Sequence, residues 1–151
     1  MRIFFDANVI LDRFDLQRPY YKYSKIVYEY CLLSKFDLYT SCDLITTIYY
    51  INAKNDKVNS LNNIQNLIKT LKVIDFSNQE VEQTCELMLK DNDYKDLEDT
   101  LQYIMAQKES CELIISNDKV FVSKDIEVLT SKEFYEKYIK ENNDETTDTK
   151  L

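Results

Sequence analysis

Five segments of strand length are spaced along this chain, and stretches with helical spacing separate them. The strands are expected at residues 2–6 (RIFFD), 37–41 (DLYTS), 72–76 (KVIDF), 111–116 (CELIIS) and 127–129 (EVL). Helical periodicity fills Tyr20–Leu33, Asp43–Ala53, Val58–Leu71, Ser77–Lys90, Thr100–Lys108 and Thr130–Lys140. Ser77 with Glu80, and Thr130 with Glu133, have the spacing of capping boxes, so each pair marks a helix start. Strands that alternate with helices and read as apolar runs predict an α/β domain: a three-layer α/β/α sandwich around a mostly parallel sheet. Such sheets place their sites beyond the carboxyl ends of the strands.

The chain has 151 residues, enough for one domain that buries about 68–70% of the surface its unfolded form exposes. One domain is expected over 1–140. Residues 141–151 form an acidic tail without an apolar face, expected to fray. No apolar run approaches the roughly 18 residues that span a bilayer. Asp6 and Asp12 interrupt any candidate signal segment, and a cytoplasmic location is the expected default. Cys31, Cys42, Cys85 and Cys111 lack CxxC spacing and are expected to be reduced core residues.

Two absences narrow the chemistry. Without glycine, neither a P-loop nor a GxGxxG turn is possible, and positive φ angles are expected to fall on Asn or Asp. Without histidine, the usual general base and zinc ligand are missing. The net charge is −8, of which the tail contributes −3, so charge alone does not hold this chain on nucleic acid.

The carboxylates are placed suggestively. Asp6 ends the first strand, Asp118 follows CELIIS, and Asp96, Glu98 and Asp99 sit where a polar loop enters a helix. Asp96 also fits a capping role at that helix start. If Asp6, Asp99 and Asp118 converge, they repel one another and their pKa values rise. A divalent cation such as Mg²⁺ or Mn²⁺ relieves that repulsion and can activate water against a phosphodiester without any histidine. Acids at strand ends also occur without such a role. Asp12 is expected to be structural, paired with Arg13 or a neighbour. Arg13, Arg18 and Lys22, interleaved with tyrosines, and Lys119 beyond the third acid, are candidates for RNA contact. A solvated helix face with inward tyrosines is the competing account.

FFDANVILD (4–12), YKDLEDTLQYIMA (94–106), LIISNDKVF (113–121) and EVLTSKEFYEKY (127–138) together resemble, in order, the signatures of PIN domains. The resemblance covers about residues 1–138. It implies a metal-dependent ribonuclease, most often the toxin of a VapBC-type toxin–antitoxin pair. Such toxins commonly dimerise and bind a basic antitoxin. Carried over by position, Asp6, Asp99 and Asp118 match the family's metal-binding acids, and Asn8 matches the polar position that supports the first. Many PIN toxins carry a Glu in the helix after the second strand; here Thr47 stands in its place, and Asp43, one turn earlier, or Asp96 or Glu98 is a possible substitute. The missing acid leaves open a module that binds RNA or protein without catalysis. A phosphatase of the haloacid dehalogenase class is a further alternative, although Asn8 stands where its second acid belongs.

Overall fold

A computed structural model describes residues 1–140; the expected tail, 141–151, lies outside them. The described strands are β1 (Arg2–Phe5), β2 (Asp37–Ser41), β3 (Lys72–Ile74), β4 (Leu113–Ile115) and β5 (Glu127–Leu129). They form one sheet in the order β3-β2-β1-β4-β5, and every pairing is parallel. The helices are α1 (Ala7–Asp12), α2 (Tyr21–Leu33), α3 (Cys42–Asn52), α4 (Lys57–Leu67), α5 (Asn78–Lys90), α6 (Leu97–Lys108) and α7 (Ser131–Phe134), the last continuing as π-helical turns over Tyr135–Lys140.

The sheet is covered on both faces. Successive strand residues point to opposite faces, yet Ile3, Phe4 and Phe5 are all fully buried. Burial of each such side chain stabilises by about 1.5–3 kcal/mol. α5 packs on α6, while α1, α2, α3, α4 and α7 form a second connected group. Phe5 meets Tyr28 of α2 edge to face, ring centroids 5.3 Å apart. This is the expected three-layer α/β/α arrangement. Its chain order reverses at β1: β2 and β3 extend one way, β4 and β5 the other. The crevice at that reversal lies between the carboxyl ends of β1 and β4.

Both expected capping boxes are formed: the Glu80 carboxylate accepts from Ser77 N at 2.8 Å, and the Glu133 carboxylate from Thr130 N at 2.7 Å. Several expectations are corrected. α6 begins three residues earlier than the apolar pattern indicates, because the Asp96 carboxylate accepts from Asp99 N at 2.9 Å and caps it. Among the described residues, positive φ angles fall on Lys35 (56°) and Ser110 (53°), not on Asn or Asp. Each follows a helix that must turn at once into the sheet. Phe36 N donates back to Cys31 O and Cys111 N to Ala106 O, closing the αL turn that glycine usually makes. Cys31 and Cys111 are core residues, but Cys85 is exposed on α5, so the four cysteines are not uniformly buried; all four are free thiols. Burial pushes Cys31 and Cys111 up to about 12. On α2 the buried face is Ser24, Val27, Tyr28 and Cys31, while Leu33 is exposed. The apolar stripe expected over Val58, Leu61, Ile64, Ile68 and Leu71 is only partly covered: Ile64 packs against the core and Leu71 is buried, while Val58 and Leu61 on α4 and Ile68 just after it are exposed.

Candidate active site

The register of β1 on β4 sets the first contact. Phe5 lies opposite Ile115, so the next residues, Asp6 and Ser116, come together at the strand ends. Asp6 N donates to Ile115 O at 3.0 Å, and Ser116 Oγ donates to Asp6 Oδ2 at 2.7 Å. Asp6 also caps α1: its Oδ1 accepts from Ala7 N at 2.6 Å. Asn8, one residue into α1, donates its Nδ2 to Asp6 Oδ2 at 2.8 Å and accepts Asn117 N on its Oδ1 at 2.9 Å. Asn8 therefore supports Asp6 and ties α1 to the end of β4. Burial raises the pKa of Asp6, and the charge of Asp118 adds to this; the bonds from Ser116, Ala7 N and Asn8 work in the opposite direction.

A cavity of about 320 Å³ opens beside these groups. Asp6, Asp96, Glu98, Asp99 and Asp118 supply its acids, Arg18 its one cation, and Thr47 part of its wall. Asp99 stands in the first turn of α6. Burial pushes it up to about 7, reinforced by the charges of Asp6, Asp96, Asp118 and Glu98. Glu98 is raised too, by burial and then by Asp43, Asp6 and Asp96. Asp118 is held in its turn by Val120 N, which donates to its Oδ1 at 3.0 Å. The three acids singled out from sequence thus line one cavity, and the charge of Asp118 acts on both Asp6 and Asp99. Asp96 both caps α6 and lines the cavity.

The remaining candidates divide. Asp43 does not line the cavity; its carboxylate takes Gln102 Nε2 at 2.9 Å and the Ser41 hydroxyl. Asp12 is structural, but Arg13 is not its partner. Arg18 Nε donates to Asp12 Oδ1 and Asn117 Nδ2 to its Oδ2, each at 2.5 Å. Arg13 turns inward over the Tyr28 ring, 3.7 Å from its centroid, with Nη1 buried and without a hydrogen-bond partner. The aromatic ring beneath it holds the guanidinium against the protein, and Arg13 does not line the acid cavity. Lys22 is exposed on α2, and exposed Lys119 lines a small cavity with Asp118.

Ser116 and Asn117 carry more of the site than their sequence suggests. Asn117 Oδ1 accepts both Ser131 N and Ser131 Oγ at 2.9 Å, while its Nδ2 reaches Asp12 and Ser24. One amide so joins β4 to α1, α2 and α7. The polar pair before Asp118 was the available signal, but their partners lie far away in sequence.

The donor chemistry suits a hard divalent cation: carboxylate oxygens in a partly buried cavity whose acids outnumber its cations. As the side chains stand, no group of three or more among the described residues is drawn close enough to hold one ion.

The PIN domain family model matches residues 2–120. This chain belongs to the PIN domain family. The PIN domain is 52% identical over 137 residues to Ribonuclease VapC1 of Aquifex aeolicus (strain VF5), covering 91% of this chain and 95% of that protein. Solved structures share its fold. FitAcB from Neisseria gonorrhoeae gives a TM-score of 0.68 at 16% identity, over 86% of this PIN domain and 98% of that chain. VapBC2 from Rickettsia felis, bound to a promoter DNA fragment, gives 0.67 at 14%, over 86% and 98%. VapC20 of Mycobacterium tuberculosis, a toxin that cleaves the Sarcin-Ricin loop, gives 0.66 at 11%, over 79% and 92%. Membership of this family removes the haloacid dehalogenase alternative.

Proposed function

We propose that this PIN domain is an endoribonuclease, the toxin of a VapBC-type toxin–antitoxin pair, and that it works with Mg²⁺ or Mn²⁺. The observation that carries this reading is the cavity that gathers Asp6, Asp99 and Asp118 at the β1–β4 crevice, in a chain 52% identical to a VapC ribonuclease. Asp6, Asp99 and Asp118 would hold the metal, with Asp96 and Glu98 beside them. The bound ion supplies charge neutralisation at phosphate and a water of lowered pKa. Asn8 and Ser116 keep the Asp6 carboxylate aimed and favour its ionised form. Arg18 in the cavity wall, Lys119 beside Asp118 and the exposed Lys22 of α2 would meet the phosphates of the strand.

An antitoxin has a place to sit. A groove of about 660 Å³ on α3, lined by Tyr49, Tyr50 and Ile51, shares Thr47 and Ile51 with the acid cavity. A partner with an apolar helix face and a basic side chain would satisfy both. The exposed Val58, Leu61 and Ile68 offer an apolar surface for a homodimer or for the same partner.

The test is RNA cleavage by purified protein with Mn²⁺ or Mg²⁺, lost in a chelator and in Asp6→Asn. Cleavage that survives Asp6→Asn, in protein freed of contaminating nuclease, overturns it. A second reading, a module that binds without cleaving, is favoured by Thr47 in place of an acid and by the absence of a close ligand group among the described residues. Calorimetry with Mn²⁺ separates the two. Stoichiometric binding that Asp99→Asn abolishes and Thr47→Glu tightens supports the enzyme.

A further inference from the structure

A second cavity, about 480 Å³, abuts the acid cavity and shares Asp96 and Asp99 with it. We propose that it holds a single nucleobase of the RNA strand being cleaved, one that bears an exocyclic amino group. The proposal rests on the ribonuclease reading and adds a specificity site to it.

The cavity is built between two fastened loops. Lys124 Nζ bridges Asp91 and Asp93 at 2.6 and 2.8 Å, binding the loop after β4 to the loop before α6. The next residue, Asp125, accepts from Tyr103 Oη at 2.6 Å and Gln107 Nε2 at 2.9 Å, fixing the same loop to α6. The first loop carries Asp118 and the second leads into Asp96 and Asp99. A gap held open between them is therefore a fixed distance from the reacting phosphate.

Its walls suit a base. Val120, Val122 and Tyr94 give it apolar sides, and Tyr94 is itself set against Tyr103, ring centroids 5.3 Å apart. Val120 is 75% exposed although apolar, and stands at the rim. The volume falls in the usual range for small-molecule sites, about 300–1,000 Å³, which admits one base. Its acids, Asp93, Asp96 and Asp99, stand against one cation, Lys95. Asp93 is already paired with Lys124, and Asp99 is assigned to the metal. The second oxygen of the Asp96 carboxylate, whose Oδ1 accepts Asp99 N, is the acceptor left for a base, and the Thr100 hydroxyl already donates to Asp96 O. A carboxylate accepts from the exocyclic amino group of cytosine, adenine or guanine, whereas uracil offers only its ring N3–H and sets the acceptor O4, which the carboxylate repels, where cytosine has its amino group. A base threaded into this cavity leaves its phosphate at the shared acids, where the chemistry is proposed.

The test uses short RNAs that differ in one base beside the scissile bond, with the full chain and Mn²⁺. Native protein is expected to favour an amino-bearing base over uracil on the order of tenfold in kcat/KM, expressed mainly in KM. Val120→Trp, which fills the mouth, and Val120→Asp, which places a charge on its apolar rim, are each expected to flatten that preference while cleavage persists. In Asp6→Asn protein, which does not turn over, the same preference should appear in binding and vanish when Val120→Trp is added. Cleavage without any base preference overturns the subsite and leaves the ribonuclease standing, as does a preference that both Val120 variants retain. A native protein that neither binds nor cleaves RNA overturns both.

Discussion

Replacing Asp99 with asparagine is expected to stabilise the metal-free protein above neutral pH. Asp99 is held near 7, against 3.8 for an ordinary Asp, by burial and by four neighbouring acids. Between about pH 4 and 7 the folded state keeps a proton that the unfolded state has lost, so stability falls as pH rises through that window. The full difference corresponds to about 4 kcal/mol. Asp99 is only partly buried, and water screens its neighbours, so about half of this should survive. Asparagine in the first turn of α6 forfeits the attraction of a carboxylate for the helix dipole, about 0.3–1 kcal/mol. The net gain at pH 8 is then about 1–2 kcal/mol, or about 2–8 °C in Tm for a chain of this size. Urea unfolding of both proteins in chelator, at pH 8 and at pH 4.5, measures it. At pH 4.5 the two should nearly coincide. A variant no more stable than native at pH 8, or a gap that does not shrink at pH 4.5, refutes the idea that mutual repulsion dominates this cavity. Excess Mn²⁺ should then reverse the order, because it stabilises only the protein that binds it.

Ser116→Ala removes the hydroxyl that donates to Asp6 and accepts Asp118 N; Mn²⁺ affinity measured by calorimetry is expected to fall at least about tenfold, as for other groups that orient a ligand. Arg18→Met leaves the buried Asp12 with only Asn117, and chemical denaturation should register a loss of about 3 kcal/mol. Lys35→Gly relieves a positive φ at a cost in unfolded-chain entropy; the balance is a gain of about 0.5–1 kcal/mol in thermal unfolding, whereas the same change at exposed Lys25, inside α2, should destabilise by a similar amount.

Much of the fold was legible because its signals are local. An apolar run with a helix-period stretch behind it specifies a strand and a crossover helix without reference to the rest of the chain. Ser77 with Glu80 and Thr130 with Glu133 mark helix starts through bonds spanning three residues. What misled was also local in appearance. The stripe of Val58, Leu61, Ile64, Ile68 and Leu71 has the spacing of a core face, yet only Ile64 and Leu71 meet the core, because periodicity measures amphipathicity and not what covers it. Asp12 beside Arg13 suggested a pair, yet Tyr28 from α2 takes the guanidinium and Arg18 takes the acid.

The sequence by itself determined the strand–helix alternation, the absence of histidine chemistry, and three acids at positions where an α/β sheet opens. Tertiary structure alone decided that Ser116 reaches Asp6, that Asn117 binds Asp12, Ser24 and Ser131 together, and that Thr47 lines the acid cavity while Asp43 does not. The reason is distance along the chain. These partners lie up to 110 residues apart, and only the β1–β4 register and the packing of α1, α2 and α7 around it bring them within hydrogen-bond reach.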